Sequence, residues 1–218
     1  MARTITVKGI GKVTAKPDLV ILNLTLDSRN IMYDKAMTKA SERIQKLSEA
    51  LYSIGFAEGS IKTSDFNVRS INKQVRDSNG NYTSKFDGYE VTHSLRIQFD
   101  MDMKLLSSVL ATISSCEADP RLAISFTVKD KDAINEEMLR QAAINAKSKA
   151  TILCSASGVK MGELVSIDYN WSEIDIYSNT RYDGFEVKMC CSESEASIDI
   201  DPEDITVSDT ATFVWEIQ

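Results

Sequence analysis

The sequence predicts an α+β protein in which an antiparallel sheet with a long protruding hairpin is covered by three helices. Several segments alternate apolar and polar residues with a period of two, as strands with one buried face do. Three other segments space their apolar residues by three and four, as on one helix face. Strands and helices follow one another without a dividing linker, so we expect one domain over residues 1–218.

The N-terminal part of the chain predicts two strands and a helix. Residues 4–15 are extended, and Pro17 and Asp18 precede a second, apolar strand that begins at Leu19. From about 33 to 54 the spacing places the apolar residues on one helix face. These residues are Met37, Ala40, Ile44, Leu47, Leu51 and Ile54. Gly55 follows them and suits the position after a helix end.

A hairpin follows this helix. Residues 89–99 form the clearest alternating strand of the chain, and residues 61–71 are its expected partner. The two strands are connected through Asn79-Gly80, a pair that favours a two-residue turn. We therefore expect a long hairpin with one buried face.

The tip of this hairpin carries its apolar residues on the face opposite to the core. The turn sets a register in which Phe66 lies opposite His93 on the buried face, where the residues further out are polar. The apolar residues of the tip fall on the other face, and they are Ile71, Val75, Tyr82 and Phe86. A bulge near Gly88 would rotate the tip back, whereas a regular continuation leaves residues 71–88 as an arm that contacts a second copy.

Two more helices and a strand come next. Asp102 is suited to cap the second helix, and residues 122–128 alternate as a strand. The third helix, about 132–157, carries a stripe of small residues that lets a neighbouring backbone approach closely. The stripe includes Ala142, Ala146 and Ala150.

The C-terminal part of the chain carries most of its negative charge. Strands are expected at 164–171 and 205–217, and the acidic residues 172–204 between them indicate an irregular excursion. From residue 161 to 218 there are fourteen Asp and Glu against two Lys and Arg, in a chain of net charge -7. This tail would repel nucleic acid, and the basic residues elsewhere form no stripe for phosphate contacts, so we expect no nucleic-acid partner.

Neither a membrane span nor an export signal is evident in the sequence. No run approaches the roughly 18 apolar residues of a spanning helix. The start, MARTITVKG, lacks the apolar stretch of a signal peptide. We therefore expect a cytoplasmic protein with no membrane span.

The sequence contains no recognisable catalytic set. GxSxG, Walker A and HExxH are absent, and the single histidine, His93, lies on an apolar strand face, which predicts a hydrogen-bonded core residue. Gly9-x-Gly11 lacks the third glycine of a phosphate loop and indicates a strand bend or bulge. The adjacent Cys190 and Cys191 are either incidental thiols or a redox or metal pair. We expect no enzyme activity, no cofactor and no metal site.

Several stretches, taken in order, resemble the SIMPL-domain family. The opening ITVKGIGKVTAKPDLVILNLTL is similar to that family's glycine-containing first strand, Pro-Asp and second apolar strand. DGYEVTHSLRIQF, AINAKSKATILCSASGVKMGELVSI and the closing DPEDITVSDTATFVWEI match later stretches, with Glu203 where the family often has glycine. The resemblance implies the family's fold and no catalytic residues. Its bacterial members are often exported and associated with stress protection or antigenicity.

Together these observations lead to one leading functional hypothesis and two alternatives. The leading hypothesis is a non-enzymatic, self-associating protein of the SIMPL-domain type that acts as a homo-oligomer, with a stress-related role implied by the family. Its expected partner is a second copy of itself, and an unidentified protein is the alternative partner. One alternative is a thiol-redox or metal-binding protein that uses Cys190 and Cys191. The other is a module that binds a small ligand.

Overall fold

The computed structural model describes residues 3–76, 81–170, 174–186 and 200–218 and confirms an α+β protein. Within these residues there are three helices and eight strands, which form two sheets instead of the one expected. In chain order the elements are β1 (Thr4–Ala15), β2 (Leu19–Asn30), α1 (Tyr33–Ser53), β3 (Lys62–Arg76), β4 (Tyr82–Asp100), α2 (Met103–Ser115), β5 (Arg121–Thr127), α3 (Lys131–Ala156), β6 (Met161–Asp168), β7 (Tyr177–Glu186) and β8 (Ile205–Ile217).

The chain divides into two compact units. The first unit is made of three segments, Met1–Asp18, Thr127–Asn179 and Pro202–Gln218. The second unit is made of Leu19–Phe126 and Thr180–Asp201. The three-stranded sheet, of order β1-β8-β6, belongs to the first unit, and the five-stranded sheet, of order β3-β4-β2-β5-β7, is built mainly by the second.

In the first unit, α3 lies directly on β1. The small residues of α3 are buried there, which confirms the predicted close approach: Ala142, Ala146 and Ala150. A Cβ atom added at Gly9 would lie 2.0 Å from the carbonyl oxygen of Ala142, and one at Gly11 would lie 1.8 Å from that of Met138. The interpretation of Gly9-x-Gly11 as a bend or bulge is wrong, because β1 pairs with β8 without any register shift. The two glycines instead form the surface on which the helix backbone lies.

The helix ends follow the capping rules. The side chain of Asp102 accepts hydrogen bonds from the backbone N–H groups of Lys104 and Leu105, as predicted for α2. Helix α3 is capped by Asp130, which accepts a hydrogen bond from the N–H of Ala133, so this helix starts slightly earlier than expected.

In the second unit, α1 and α2 pack with β2, β4 and β5 into one apolar core. The largest fully buried side chains of this core are Leu22, Leu24, Leu26, Leu47, Leu51, Ile97, Leu106, Ile113 and Phe126. Strand β7 forms within the acidic segment that was expected to be irregular. The turn residues Asn79 and Gly80 and the cysteines Cys190 and Cys191 lie outside the described residues.

Candidate functional site

The hairpin of β3 and β4 extends beyond the end of β2. Strand β2 ends at Asn30, which pairs with Tyr89, whereas residues 71–76 of β3 remain paired with residues 82–88 of β4. No other described strand pairs with this outer part, which we call the arm (residues 71–76 and 82–88). The predicted protruding hairpin is therefore present as a two-stranded ribbon.

A β-bulge lies at the base of the arm. The pairing shifts by one residue between Ile71 and Asn72, and the extra residue on β4 is Asp87. Next to it, Gly88 has a φ of 118°, and a Cβ atom there would lie 2.6 Å from the carbonyl oxygen of Asn30. The bulge thus requires glycine, both for its backbone conformation and for the close approach of β2.

This bulge separates the four apolar residues that the sequence places on one face. Because side chains alternate along each strand, the extra residue turns the outer part of β4 over relative to the outer part of β3. Tyr82 and Phe86 therefore lie on the helix side of the sheet, while Ile71 and Val75 lie on the opposite side. The prediction of one continuous stripe is wrong, and the alternative of a bulge near Gly88 is confirmed. Tyr82 and Phe86 are 71% and 45% exposed.

An aromatic row runs along the helix side of the arm. The rings of Phe86 and Tyr89 meet edge to face with centroids 5.3 Å apart, and Tyr89 meets Tyr33 at 5.5 Å in the same way. Tyr82 extends this side outward, and we call these four residues the aromatic row. Ile31 and Met32, the two residues that precede Tyr33 in the sequence, are also exposed. The sequence signal that could have identified this region is the run Ile31-Met32-Tyr33, three consecutive apolar residues where β2 ends and α1 begins.

His93 lies on the same side of the sheet, opposite Phe66 as the predicted register requires. Its Nε2 atom lies 2.9 Å from the hydroxyl oxygen of Thr63, and its ring meets that of Phe66 edge to face with centroids 5.1 Å apart. The ring is partly buried, and this burial lowers its pKa below the ordinary value for histidine. His93 is therefore an uncharged, hydrogen-bonded ring at neutral pH.

On the other side of the sheet, a buried carboxylate connects the three strands at the base of the arm. Glu90 of β4 is 2% exposed and accepts hydrogen bonds from Nε of Arg29 on β2 at 2.5 Å and from Nε of Arg69 on β3 at 2.7 Å. Burial alone would raise the pKa of Glu90, but the hydrogen bonds from Arg69 and Arg29 outweigh it and hold the pKa below its ordinary value. The outward faces of both guanidinium groups remain exposed. This cluster anchors the arm.

A polar cleft of about 640 Å³ lies elsewhere in the second unit, at the side of β2. Arg43 of α1 crosses it and donates to the backbone carbonyl oxygens of Asp27, Ala118 and Asp119. Arg43 therefore joins α1 to the end of β2 and to the loop before β5. The cleft walls carry four basic and four acidic side chains, which gives no net charge that would select an ionic ligand. Its lining residues are Thr25, Asp27, Lys39, Glu42, Arg43, Lys46, Glu117, Asp119 and Arg121.

Comparison with known proteins identifies the family. The family model for SIMPL, a protein of unknown function, matches residues 5–215. The chain belongs to the SIMPL family. It is similar to the 26 kDa periplasmic immunogenic protein of Brucella melitensis, with 27% identity over 163 residues, and to the protein of the same name from Brucella abortus, with 26% identity. Each match covers 75% of this chain and 65% of the relative, so this SIMPL chain spans less than two thirds of their length.

The names of these relatives correct one expectation. Both SIMPL relatives are named periplasmic proteins, so the cytoplasmic location inferred from the sequence is wrong. That inference used only the composition of the first residues given, which does not decide location. In the described part of the SIMPL chain, no helix is long and apolar enough to cross a membrane.

The cysteine-based alternative has no support in the described part of this SIMPL protein. Cys190 and Cys191 lie outside it, and the two described cysteines, Cys116 and Cys154, are free thiols. The described residues contain no group of three or more His, Cys, Asp or Glu side chains that could hold a metal ion. The arm and its aromatic row are therefore the candidate site with the clearest geometry.

Proposed function

We propose that this SIMPL protein is not an enzyme and works as a homo-oligomer that is held together through the helix side of its arm. The observation that carries the proposal is the aromatic row, in which Phe86 and Tyr82 are exposed on a ribbon that pairs with no third strand among the described residues. Exposed aromatic side chains grouped on one face are typical of protein contact sites, because their burial removes a large apolar area from water.

The base of the arm supports the same proposal. Gly88 allows the bulge that brings Phe86 onto the side of Tyr89, and Glu90 holds β2, β3 and β4 together immediately inside it. A ribbon whose base is fixed loses less conformational freedom when it binds than a free segment does, so more of the contact energy remains as affinity.

Solution mass tests the proposal. We expect light scattering to find the wild-type chain as an oligomer and the double variant Tyr82→Ser with Phe86→Ser at a lower mass, with an unchanged far-ultraviolet circular dichroism spectrum. The control is Ile71→Ser with Val75→Ser, which removes apolar side chains from the other side of the same arm and should keep the wild-type mass. A monomeric wild-type protein, or an aromatic double variant of unchanged mass, would disprove the proposal.

We further infer that the protein works in the periplasm, because both Brucella relatives carry that location in their names. Fractionation of cells that produce the natural full-length protein tests this inference. Recovery with the cytoplasmic fraction, alongside a cytoplasmic marker enzyme, would contradict it.

A further inference from the structure

The inner side of β3 is only partly covered. Helix α1 packs on β2 and β4, and β3 is the edge strand of the five-stranded sheet. Phe66, which faces α1 from β3, is 48% exposed as a result. The space between α1 and β3 is a cavity of about 280 Å³ that we call the groove. It is lined by Met37, Ala40, Ser41, Ile44, Phe66 and His93.

The chemistry of the groove suits an uncharged aromatic side chain. Its walls are apolar apart from Ser41 and His93, and His93 is neutral at neutral pH because burial lowers its pKa. A lined apolar cavity of about 150 Å³ is enough to hold a benzene ring, so the groove has room for one aromatic ring with adjustment of its walls. The edge of the Phe66 ring already meets His93, which shows that the site packs rings edge to face.

The groove and the exposed end of the aromatic row lie on the same side of one hairpin. Phe86 and His93 are on the same strand, β4. Because Asp87 is the extra residue of the bulge, about six steps of ~3.3 Å separate them, which gives a distance of about 20 Å. A surface that carries both an exposed ring and an apolar groove is self-complementary around a two-fold axis placed between them. Two copies in that arrangement make the same contact twice and leave neither ring exposed.

We propose that the groove between α1 and β3 receives the ring of Phe86 from the arm of a second copy, with Tyr82 of the same arm packing outside the groove, so that two chains pack reciprocally around a two-fold axis. This inference rests on the proposed self-association and names the surface that receives the arm. Direct packing of one arm against the other arm is the competing arrangement, and it leaves the groove unused.

Complementation between two variants tests the inference. The arm variant is Tyr82→Ser with Phe86→Ser, and the groove variant is Ser41→Arg, which places a long charged side chain at an exposed position in the groove wall. Phe66→Lys on the opposite wall is a second groove variant in case Ser41→Arg lowers the melting temperature. Thr38→Arg is the matched control, since it makes the same charge change at an exposed position of α1 that does not line the groove.

Sedimentation over a concentration series is the measurement. We expect the arm variant alone and each groove variant alone to associate at least tenfold more weakly than wild type. The control Thr38→Arg should associate like wild type. In an equimolar mixture, the arm of the groove variant fills the groove of the arm variant. The mixed dimer should therefore form at least tenfold more tightly than either variant forms its own dimer.

Three outcomes would overturn the inference. If a groove variant associates as tightly as wild type while the arm variant associates more weakly, the arm binds elsewhere and the proposed function stands. A mixture that associates no more tightly than its components would exclude the reciprocal contact. A monomeric wild-type chain would remove the proposed function together with this inference.

Discussion

Replacing Gly9 by alanine should destabilise the first unit by about 2 kcal/mol. The added Cβ atom would lie 2.0 Å from the carbonyl oxygen of Ala142, about 1.4 Å short of the 3.4 Å at which ordinary contact begins. The backbone of β1 fixes the position of the Cβ atom and the atom that it meets belongs to the backbone of α3, so no side-chain rotation relieves the clash and α3 has to move away from β1. Overpacking of a core costs ~1–3 kcal/mol. The cost lies near the upper end of this range because the movement of α3 opens a gap to β1, and a gap of about 0.5–1 Å between packed atoms loses about a quarter to a half of their dispersion energy. The ~0.5–1 kcal/mol that alanine gains over glycine in a strand opposes this cost.

Urea unfolding at a fixed protein concentration measures the effect. Gly11→Ala creates the same clash against Met138, at 1.8 Å. One outward movement of α3 relieves both clashes, so the double variant should lose clearly less stability than the sum of the two single variants. Lys12→Ala, on the exposed side of β1, is the control and should stay within about 0.5 kcal/mol of wild type. A Gly9→Ala variant as stable as wild type, or strictly additive effects, would refute the close packing of helix and strand.

Three further predictions concern other described residues. Ala146→Leu should cost about 1–3 kcal/mol in urea unfolding or disrupt assembly, because it overpacks the same contact; a wild-type melting temperature would contradict this. Glu90→Gln should cost about 2 kcal/mol, since it weakens two charge-assisted hydrogen bonds. The lowered pKa of Glu90 means that the unfolded chain takes up its proton first, so its stabilisation is present above about pH 4.5 and is lost as the pH falls; pH-dependent melting should be flatter in the variant. His93→Phe should fold at a cost of ~0–2 kcal/mol. Because burial lowers the pKa of His93, the wild type should lose stability as the pH falls below about 6.5, and a variant with the same loss would contradict the assignment.

The periodic elements could be predicted because their signals are local. The helix stripe of α1 and the Asp102 cap depend on spacing and side-chain chemistry within a few residues, and the structure confirms them. The pairing of Phe66 with His93 is also confirmed, but Arg76 pairs with Tyr82, one residue away from the register of a two-residue turn at Asn79 and Gly80. The stripe of small residues in α3 also predicted a close approach, but its counterpart at Gly9 and Gly11 was interpreted separately as a bend. The two features lie more than 100 residues apart, and nothing in their local sequence connects them.

The candidate site was predictable only in part for the same reason. The sequence identified Tyr82 and Phe86 as the exposed apolar residues of the hairpin, but their side depends on one extra residue, Asp87. Gly88, next to the bulge, lies close to the carbonyl group of Asn30, which is a contact between strands that are distant in sequence. A shift of a single residue reverses the face of every side chain beyond it, so no local pattern determines which side the arm presents.

The pairing of β1 with β8 also has a consequence for the order of folding. Val7 lies opposite Phe213, so β1 gains this sheet partner only through contacts between residues more than 200 positions apart. Most of the second unit, by contrast, is a continuous stretch from Leu19 to Phe126, whose contacts close shorter loops. Helix α3, which lies on Gly9 and Gly11 of β1, is also closer to β1 in sequence than β8 is. Docking of α3 can therefore precede the pairing with β8 and cover one face of β1 while its edge is still open.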